Sequence, residues 1–173
     1  MRLLIVSDVH GDFQTLDKII KKESFDELII LGDLFSYGYY SNEYKEENII
    51  NLLEKYKNKL ILIKGNCDNF INYNAINIRA FDRITIPFDN HLFTFTHGHK
   101  YKKSFLSSFH GDVFISGHTH IPSIIKENSI IYANPGSISI PRGGSPKCYL
   151  VFNNNKPILK TINNEIIKEM TIS

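Results

Sequence analysis

The chain is poor in several residue types, and each shortage narrows the kind of protein it can be. Its 173 residues include only two cysteines, Cys67 and Cys148, and no tryptophan. Nothing around these cysteines indicates the disulfide framework of a small secreted scaffold. No apolar run approaches the roughly 20 residues that a transmembrane helix needs. The N-terminal LLIV segment is too short for a signal-peptide core. We therefore expect a cytoplasmic protein without a membrane span.

An excess of charge of one sign is also lacking. The 20 basic and 18 acidic residues leave a formal net charge of +2, which gives no strong attraction to nucleic acid or to a membrane surface. Lys100, Lys102 and Lys103 form a local basic run, which is either the solvated start of a helix or a positive rim that attracts an anionic substrate. No nucleic-acid-binding surface is evident. The length and the ordinary composition predict one globular domain, residues 1–173.

What the chain does contain is a set of polar residues that follow short apolar runs. Five such runs end in carboxylates, amides or imidazoles: Asp8 and His10, Asp33, Asn66, His97, and His118 with His120. These runs are typical of parallel strands, whose carboxyl ends form the ligand-binding crevice of an open α/β sheet. Apart from the adjacent Cys67, all the donors are oxygen or nitrogen, which suits a pair of divalent metal ions. The pattern therefore predicts metal-assisted phosphate ester chemistry.

Taken one at a time, these motifs have ordinary explanations. Asp8 and His10 fit a surface aspartate and a satisfied histidine, and Gly65-Asn66 fits a simple turn after a strand. Alternate residues at a strand end point to opposite sides, so His118 and His120 reach neighbouring metals only where the backbone is bent. Four histidines in two compact clusters are nevertheless hard to explain as core packing.

The remaining histidines and two aspartates are expected to play lesser parts. His99 is interpreted as supporting the metal ligands, His110 as a surface residue and His91 as a residue without a role. A ligating imidazole normally donates its free N–H to an acceptor, and we expect Asp68 or Asp112 to supply one.

Two glycine-containing loops later in the chain each have two interpretations. Residues 134–137 form either an ordinary turn or a source of backbone N–H groups for a phosphate. Arg142, beside two glycines, is either a surface residue or a guanidinium that binds phosphate oxygens in a forked manner.

Hydrophobic periodicity predicts alternating strands and helices in the first part of the chain. Strands are expected at residues 2–7, 28–31 and 60–64, and helices at about 13–22 and 43–57. Phe13, Leu16 and Ile20 have the i, i+3, i+7 spacing of a helix face. This alternation is typical of a parallel sheet flanked by helices.

The second half is predicted to be mostly antiparallel. Strands are expected at 84–87, 91–96 and 113–116, a short helix at about 104–109, and hairpins at 123–126 with 130–132 and at 148–152 with 158–162. Residues 69–77 look like a surface excursion. Together these elements predict two sheets packed face to face with helices outside.

Taken in order, the motifs resemble those of the calcineurin-like metallophosphoesterases, most closely the YfcE-type phosphodiesterase branch. The resemblance extends from the first strand to about Arg142. It includes Asp8-Val9-His10, Gly32-Asp33, Gly65-Asn66-Cys67-Asp68, His97-Gly98-His99, Gly117-His118-Thr119-His120 and Asn134-Pro135-Gly136-Ser137. It implies the metallophosphatase fold, a four-layer αββα sandwich of two mixed sheets flanked by helices.

The resemblance also implies a ligand set and a reaction. One metal ion would be bound by Asp8, His10 and His120, the other by Asn66, His97 and His118, and Asp33 would bridge the two. A hydroxide that bridges the ions would then hydrolyse a small phosphodiester. Manganese is the first expectation because oxygen donors are prominent, with zinc, nickel, iron or cobalt as alternatives.

One residue departs from the pattern of many family members. Cys67 occupies the position after the metal-binding asparagine, where a histidine often assists the leaving group. Cys67, Asp68 and His99 are therefore candidates for supporting roles next to the ligands. A phosphomonoesterase, a nuclease and a protein-interaction scaffold resembling the retromer subunit of this fold are the alternative functions. Homo-oligomerisation is left open by the sequence.

Overall fold

In the computed structural model, most helices and strands lie where the hydrophobic periodicity predicts them. The structure describes residues 1–35, 46–68, 73, 77–102 and 111–172. Its helices are α1 (Phe13–Lys22), α2 (Glu46–Glu54) and a short 3₁₀ helix (Lys57–Lys59). The described strands are β1 (Arg2–Val6), β2 (Glu27–Ile30), β3 (Leu60–Ile63), β4 (Ala80–Phe81), β5 (Arg83–Phe88), β6 (His91–Thr96), β7 (Val113–Ser116), β8 (Ser123–Glu127), β9 (Ile130–Asn134), β10 (Cys148–Asn153), β11 (Lys156–Thr161) and β12 (Ile166–Glu169).

The strands form two mixed sheets. The larger sheet has the order β12-β11-β10-β1-β2-β3-β4, and the smaller has the order β5-β6-β7-β9-β8. In the larger sheet β1 to β4 are parallel, whereas β10 pairs antiparallel with β1 and with β11. The C-terminal hairpin therefore extends the sheet that the first strand begins.

The smaller sheet corrects part of the prediction for the second half. Its outer pairs, β5 with β6 and β8 with β9, are antiparallel as expected. Its centre is parallel instead, because β7 runs parallel to both β6 and β9. Periodicity does not report strand direction, and residues 97–112 between β6 and β7 are long enough for a parallel crossover.

Two hydrophobic cores hold these layers together. The inner faces of both sheets meet in one core, which includes Ile5 and Leu150 from the larger sheet and Phe93 and Ile115 from the smaller. The second core lies on the other face of the larger sheet, where α1 and α2 pack. The mixed sheets stacked face to face, with helices on the outside, confirm the predicted fold class.

Several predicted features need adjustment. The expected helix at 104–109, residues 43–45 of the second helix and His110 lie outside the described residues. The short strands β4 and β12 were not predicted, because two residues carry no periodicity and all four side chains of β12 are exposed. Tyr73, within the expected surface excursion, is buried at 5% exposure, which contradicts that prediction at this residue.

Candidate metal centre

The predicted ligands all follow strands that end at the same edge of the molecule. Asp8 and His10 follow β1, Asp33 follows β2 and Asn66 follows β3, all in the larger sheet. The smaller sheet supplies the rest, with His97 after β6 and His118 and His120 after β7. One side-chain atom each of Asp8, His10, Asp33 and His120 lies within 4.8 Å of the others. The structure therefore brings donors from both sheets together.

Left-handed backbone conformation bends the chain at these strand ends. Asp8 and His10 have φ angles of 52° and 44°, Asp33 has 48°, and His118 and His120 have 68° and 60°. Non-glycine residues adopt this region uncommonly, and at a cost. The bend that Asp-x-His and His-x-His need is therefore made by the predicted ligands themselves, rather than by the neighbouring glycines alone.

Asp8 and His120 form one contact of the centre. Asp8 is fully buried, and its Oδ2 accepts hydrogen bonds from the Ser7 hydroxyl at 2.7 Å and from the His118 amide at 3.0 Å. Its Oδ1 lies 3.2 Å from Nε2 of His120 without aligning for a hydrogen bond. His10 Nε2, 3.8 Å from Asp33 Oδ2, is likewise buried without a partner in the described structure.

Asn66 and His97 form a second contact, next to Asp33. Nε2 of His97 lies 3.0 Å from Oδ1 of Asn66 and 3.5 Å from Oδ2 of Asp33. The other Asp33 oxygen accepts from the Cys67 amide at 2.8 Å. The His118 ring lies beside the His97 ring, with centroids 5.1 Å apart.

Backbone carbonyls, not aspartates, orient the two buried imidazoles. Nδ1–H of His97 donates to the Leu31 carbonyl at 2.7 Å, and Nδ1–H of His120 donates to the Ile140 carbonyl at 2.6 Å. The expectation that Asp68 or Asp112 would accept these protons is therefore wrong for these two rings. A backbone carbonyl leaves no signature in the sequence, since every residue carries one.

This orientation tests whether the residues fit a metal. Because a carbonyl can only accept, Nδ1 of each ring carries a proton, and Nε2 of the neutral ring is an acceptor. Nε2 of His120 then faces the carboxylate oxygen of Asp8, and Nε2 of His97 faces the amide oxygen of Asn66. Oδ1 of Asp8 and Nε2 of His10 are also buried without a hydrogen-bond partner in the described structure, and a bound cation would satisfy them. The donor set therefore fits divalent ions.

The local charges alter the pKa of several groups. Burial opposes ionisation of Asp33, but contact with His97 and the Cys67 amide outweighs burial and holds the pKa of Asp33 well below its usual range. Burial likewise opposes protonation of His97, but Asp33 and Asp8 raise its pKa. Burial, together with the charge of His97, lowers the pKa of His118. Asp33 is thus ionised and available to bind a cation at neutral pH.

Glycines allow the strand ends to approach one another. A Cβ on Gly65 would lie 2.1 Å from the backbone nitrogen and from Oδ1 of Asp33. A Cβ on Gly117 would lie 1.8 Å from the hydroxyl of Ser7. The glycines before Asn66 and His118 are therefore required by close packing between neighbouring loops.

The three supporting candidates differ in what they contact. The Cys67 thiol accepts from the Asn66 amide group at 3.2 Å, and burial together with Asp33 raises its pKa to about 12. Asp68 binds backbone amides of two loops. His99 lies beside His97, with ring centroids 5.3 Å apart.

The loop at 134–137 and the nearby Ser139 hold the backbone of Asp8 by hydrogen bonds. The hydroxyls of Ser137 and Ser139 both donate to the Asp8 carbonyl, at 2.7 and 2.8 Å. The Asn134 side chain donates to the Gly117 carbonyl at 2.8 Å and accepts from the Gly136 amide at 2.8 Å. These contacts favour the structural interpretation of the loop. The roles of Ser7, Asn134 and Ser139 were not predicted. The contacts of Asn134 with Gly117 and of Ser139 with Asp8 join segments that are distant in sequence, and a serine beside an aspartate carries no specific signal.

The two basic segments lie at the surface where they are described. Arg142 is exposed, and its amide donates to the His120 carbonyl at 3.1 Å. Lys100 is exposed and forms an ion pair with Asp82 at 2.8 Å, whereas Lys103 lies outside the described residues.

Two stacked mixed sheets, with oxygen and nitrogen donors gathered at the strand ends, define a metal-dependent phosphoesterase. The model of the calcineurin-like phosphoesterase superfamily domain matches residues 1–156. The chain belongs to this superfamily. This match confirms the predicted family, and similarity to a YfcE phosphodiesterase over the full chain confirms the predicted branch.

Its curated relatives include phosphodiesterase YfcE of Escherichia coli strain K12. The two are 28% identical over 186 residues, which cover 100% of this chain and 99% of the relative. The chain is also 27% identical over 161 residues to the probable metallophosphoesterase YsnB of Bacillus subtilis strain 168, covering 87% and 83% of the two.

Solved structures share the fold over almost the whole chain. The structure of E. coli YfcE, described as a phosphoesterase, has a TM-score of 0.90 at 26% identity and covers 100% of both chains. Vacuolar protein sorting 29 from Cryptosporidium parvum has a TM-score of 0.69 at 12% identity over 98% and 97% of the chains, which shows likeness of fold alone. In the described part of the chain, no helix has the length and apolar character to cross a membrane.

Proposed function

We propose that the protein is a dimetal-dependent phosphodiesterase that acts on small phosphodiesters. The observation that carries this proposal is the cluster at the strand ends, where donors of Asp8, His10, Asp33 and His120 lie within 4.8 Å of one another. Among the described residues, Asp8 Oδ1 and His10 Nε2 of this cluster are buried without a hydrogen-bond partner. Membership of the phosphoesterase superfamily and the likeness to a phosphodiesterase over the full chain support the reaction type.

The proposed ligands divide into two sets that share one carboxylate. Asp8, His10 and His120 would hold one ion, and Asn66, His97 and His118 the other. Asp33 would serve both, because the Cys67 amide fixes Oδ1 while Oδ2 lies between His10 and His97, at 3.8 and 3.5 Å. The four donors within 4.8 Å of one another are the first set together with Asp33.

Two divalent ions at these positions would activate water and neutralise charge on the reacting phosphate. The protein supplies the orientation: carbonyls of Leu31 and Ile140 fix two imidazoles with Nε2 toward the centre. Manganese is the proposed metal, since carboxylate and amide oxygens accompany the imidazoles and no thiolate is assigned as a ligand.

The Cys67 position bears on which esters are cleaved. With its pKa raised to about 12, the Cys67 thiol is neutral at physiological pH and carries no positive charge to stabilise a departing alkoxide. Esters whose leaving groups need no proton would therefore be favoured. A phosphomonoesterase is the second enzymatic candidate, but no contact among the residues that the structure describes favours a second phosphate charge over an ester group.

A protein-interaction scaffold is the alternative from another class. A scaffold would not need metal ligands, yet all seven predicted ligands are present in this chain. In the described structure, the cluster of Asp8, His10, Asp33 and His120 contains buried atoms without a partner that a cation could bind. This observation favours the enzyme. The pairing of β10 with β1 supports one domain over residues 1–173. Oligomeric state, compartment and the absence of nucleic-acid binding remain predictions.

The test uses metal-free protein reloaded with manganese and a panel of phosphodiesters, phosphomonoesters and cyclic nucleotides. We expect hydrolysis of activated diesters that EDTA abolishes and manganese restores, with about two ions bound per chain by elemental analysis. Metal binding without turnover of any ester would favour the scaffold. Turnover of monoesters alone would favour the phosphomonoesterase.

A further inference from the structure

A carboxylate that the proposed mechanism does not use connects the two loops that carry Asp33 and Asn66. Oδ1 of Asp68 accepts from the amides of Leu34 at 2.8 Å and Phe35 at 3.1 Å, directly after Asp33. Its Oδ2 accepts from the Gly65 amide at 2.9 Å, directly before Asn66. One side chain therefore binds the backbone of both loops.

Asp33 likewise accepts a hydrogen bond from the loop that carries Asn66. Its Oδ1 accepts from the Cys67 amide at 2.8 Å, so each loop donates an amide to a carboxylate of the other. Carboxylate–amide hydrogen bonds therefore tie the loop that carries Asp33 to the loop that carries Asn66, in addition to the pairing of β2 with β3. The bond from the Cys67 amide to the Asp33 carboxylate is charge-assisted, and such bonds are stronger than those between neutral groups.

Tyr73 secures the second oxygen of Asp68. Its hydroxyl is hydrogen-bonded to Asp68 Oδ2 and lies 3.1 Å from the Ile63 carbonyl at the end of β3. The Gly65 amide also approaches this hydroxyl, at 3.3 Å. Tyr73 is buried, and its ring meets the Phe35 ring edge to face at a centroid distance of 6.4 Å. The hydroxyl thus fixes Asp68 to the sheet on which both loops begin.

We infer that Asp68 and Tyr73 are positioning residues that hold Asp33 and Asn66 at the separation a divalent ion requires. This inference rests on the proposed function, because it concerns the same metal centre. Neither side chain contacts the ion or the substrate in this role. Hydrogen bonds behind metal ligands typically change metal affinity by about 10–100-fold when they are removed.

Tyr73→Phe removes the hydroxyl and keeps the ring, so it tests the positioning role with little change of packing. The chain offers a matched control in Tyr149→Phe. Tyr149 is also buried, and its hydroxyl also donates to a carboxylate, Glu23 Oε1 at 2.8 Å, but it lies away from the metal centre. Both variants lose one buried tyrosine–carboxylate hydrogen bond.

The measurement is the affinity of metal-free protein for Mn²⁺ by calorimetric titration, together with the melting temperature of the metal-free form. We expect Tyr73→Phe to weaken manganese binding by about tenfold and Asp68→Asn by up to about 100-fold, with kcat recovering at saturating manganese. Tyr149→Phe should lower the melting temperature and leave manganese affinity unchanged.

The outcomes separate this inference from the proposed function. If wild-type protein binds manganese and Tyr73→Phe binds it equally well, the positioning role is wrong while the proposed function stands. If Tyr73→Phe and Tyr149→Phe weaken manganese binding to the same extent, the effect is general destabilisation and the inference is overturned. Should wild-type protein bind no divalent ion, the proposed function itself fails.

Discussion

Asp33 is the residue on which the proposed centre depends most. It is almost fully buried, its Oδ1 is bound by the Cys67 amide, and its Oδ2 faces histidines of both proposed ligand sets. A carboxylate in this position can compensate charge on two cations, whereas each histidine can bind only one.

Asp33→Asn keeps the shape of the side chain and removes its charge. We expect both manganese ions to bind more weakly and turnover to fall at least about 100-fold, or roughly 2.7 kcal/mol. His120→Asn, which affects one proposed ligand set, should mainly reduce occupancy of one ion. Metal content by elemental analysis distinguishes the two patterns. Near-normal metal content and turnover in Asp33→Asn would rule out the shared ligand.

Cys67 allows a test of leaving-group chemistry. Cys67→His places a group that can be protonated beside the centre, and a positioned general acid typically contributes about 10²–10⁴-fold. We expect a gain of at least about tenfold on alkyl diesters, which need a proton on the leaving oxygen, and little change on activated aryl diesters. Rates on the two substrate classes at saturating manganese provide the measurement.

The Cys67→His substitution would instead reduce activity if the space around Cys67 is too small for an imidazole ring. The Cys67 thiol contacts the Asn66 side chain, so a larger ring could displace that ligand. Equal loss on every substrate, accompanied by lower metal content, would contradict the missing-acid interpretation. Cys67→Ser, which keeps the size, serves as the control for loss of the thiol alone.

At this scale the sequence predicted which residues gather, but not what surrounds them. The order of Asp8, Asp33, Asn66 and His97 after apolar runs indicated a shared edge of the sheets. Four of the seven predicted ligands have donor atoms within 4.8 Å of one another, namely Asp8, His10, Asp33 and His120. The hydroxyls of Tyr73 and Ser139 escaped prediction. The partner of Ser139 belongs to a distant segment, and the contacts of Tyr73 with Asp68 and Ile63 follow no helical or strand spacing, so neither produces a sequence pattern.

At the scale of elements, Glu23 joins α1 to the larger sheet. It follows the last residue of α1 and binds Arg2 of β1 at 2.6 Å, Tyr149 of β10 at 2.8 Å and Lys160 of β11 at 2.8 Å. Burial opposes ionisation of Glu23, but the bonds from Lys160, Tyr149 and Arg2 outweigh it and lower its pKa. The ionised form is therefore the one that the fold stabilises.

Glu23→Gln should destabilise the protein in a pH-dependent way. Because the pKa of Glu23 is lower in the folded than in the unfolded state, its ionised form contributes stability above the unfolded-state pKa, and this contribution is lost as pH falls through the folded-state pKa. We expect Glu23→Gln to lower the free energy of unfolding by about 2 kcal/mol at pH 7, and by much less below pH 4. Urea unfolding at both pH values measures the difference. An equal loss at each pH would show that the charge is unimportant.

Strand positions were largely predictable, and strand partners were not. The β-branched runs that became β1, β2, β3 and β7 are short, apolar and bounded by glycine or polar residues. Pairing depends on which connections cross the sheet, so the parallel centre of the smaller sheet and the addition of β10 beside β1 had no local signal.

At the scale of the whole molecule, the proposed metal centre bridges the two sheets. Asp8, Asp33 and Asn66 follow strands of the larger sheet, and His97 and His120 follow strands of the smaller. An ion bound between them would oppose separation of the sheets. Metal binding and stability should therefore be coupled.

Removal of metal is expected to lower the melting temperature. Free metal at about 100 times its dissociation constant adds about 2.7 kcal/mol to the free energy of unfolding when only the folded state binds. Scanning calorimetry with manganese and with EDTA tests this. The Asp33→Asn variant is the control, since it should melt at nearly the same temperature in both conditions. If the wild-type protein melts at the same temperature with manganese and with EDTA, a metal bound between the sheets is ruled out.

The left-handed backbone of the strand ends affects how gene duplicates of this chain could diverge. Asp8, His10 and Asp33 satisfy a conformational demand as well as a chemical one, and Asn, Asp and Gly tolerate that conformation best. A descendant that abandoned hydrolysis would still retain such residues there for the sake of folding. His97 and Asn66 have no positive φ, so nothing in the backbone would preserve them. In a related sequence, replacement of His97 or Asn66 should therefore precede replacement of the aspartates when hydrolytic activity is lost.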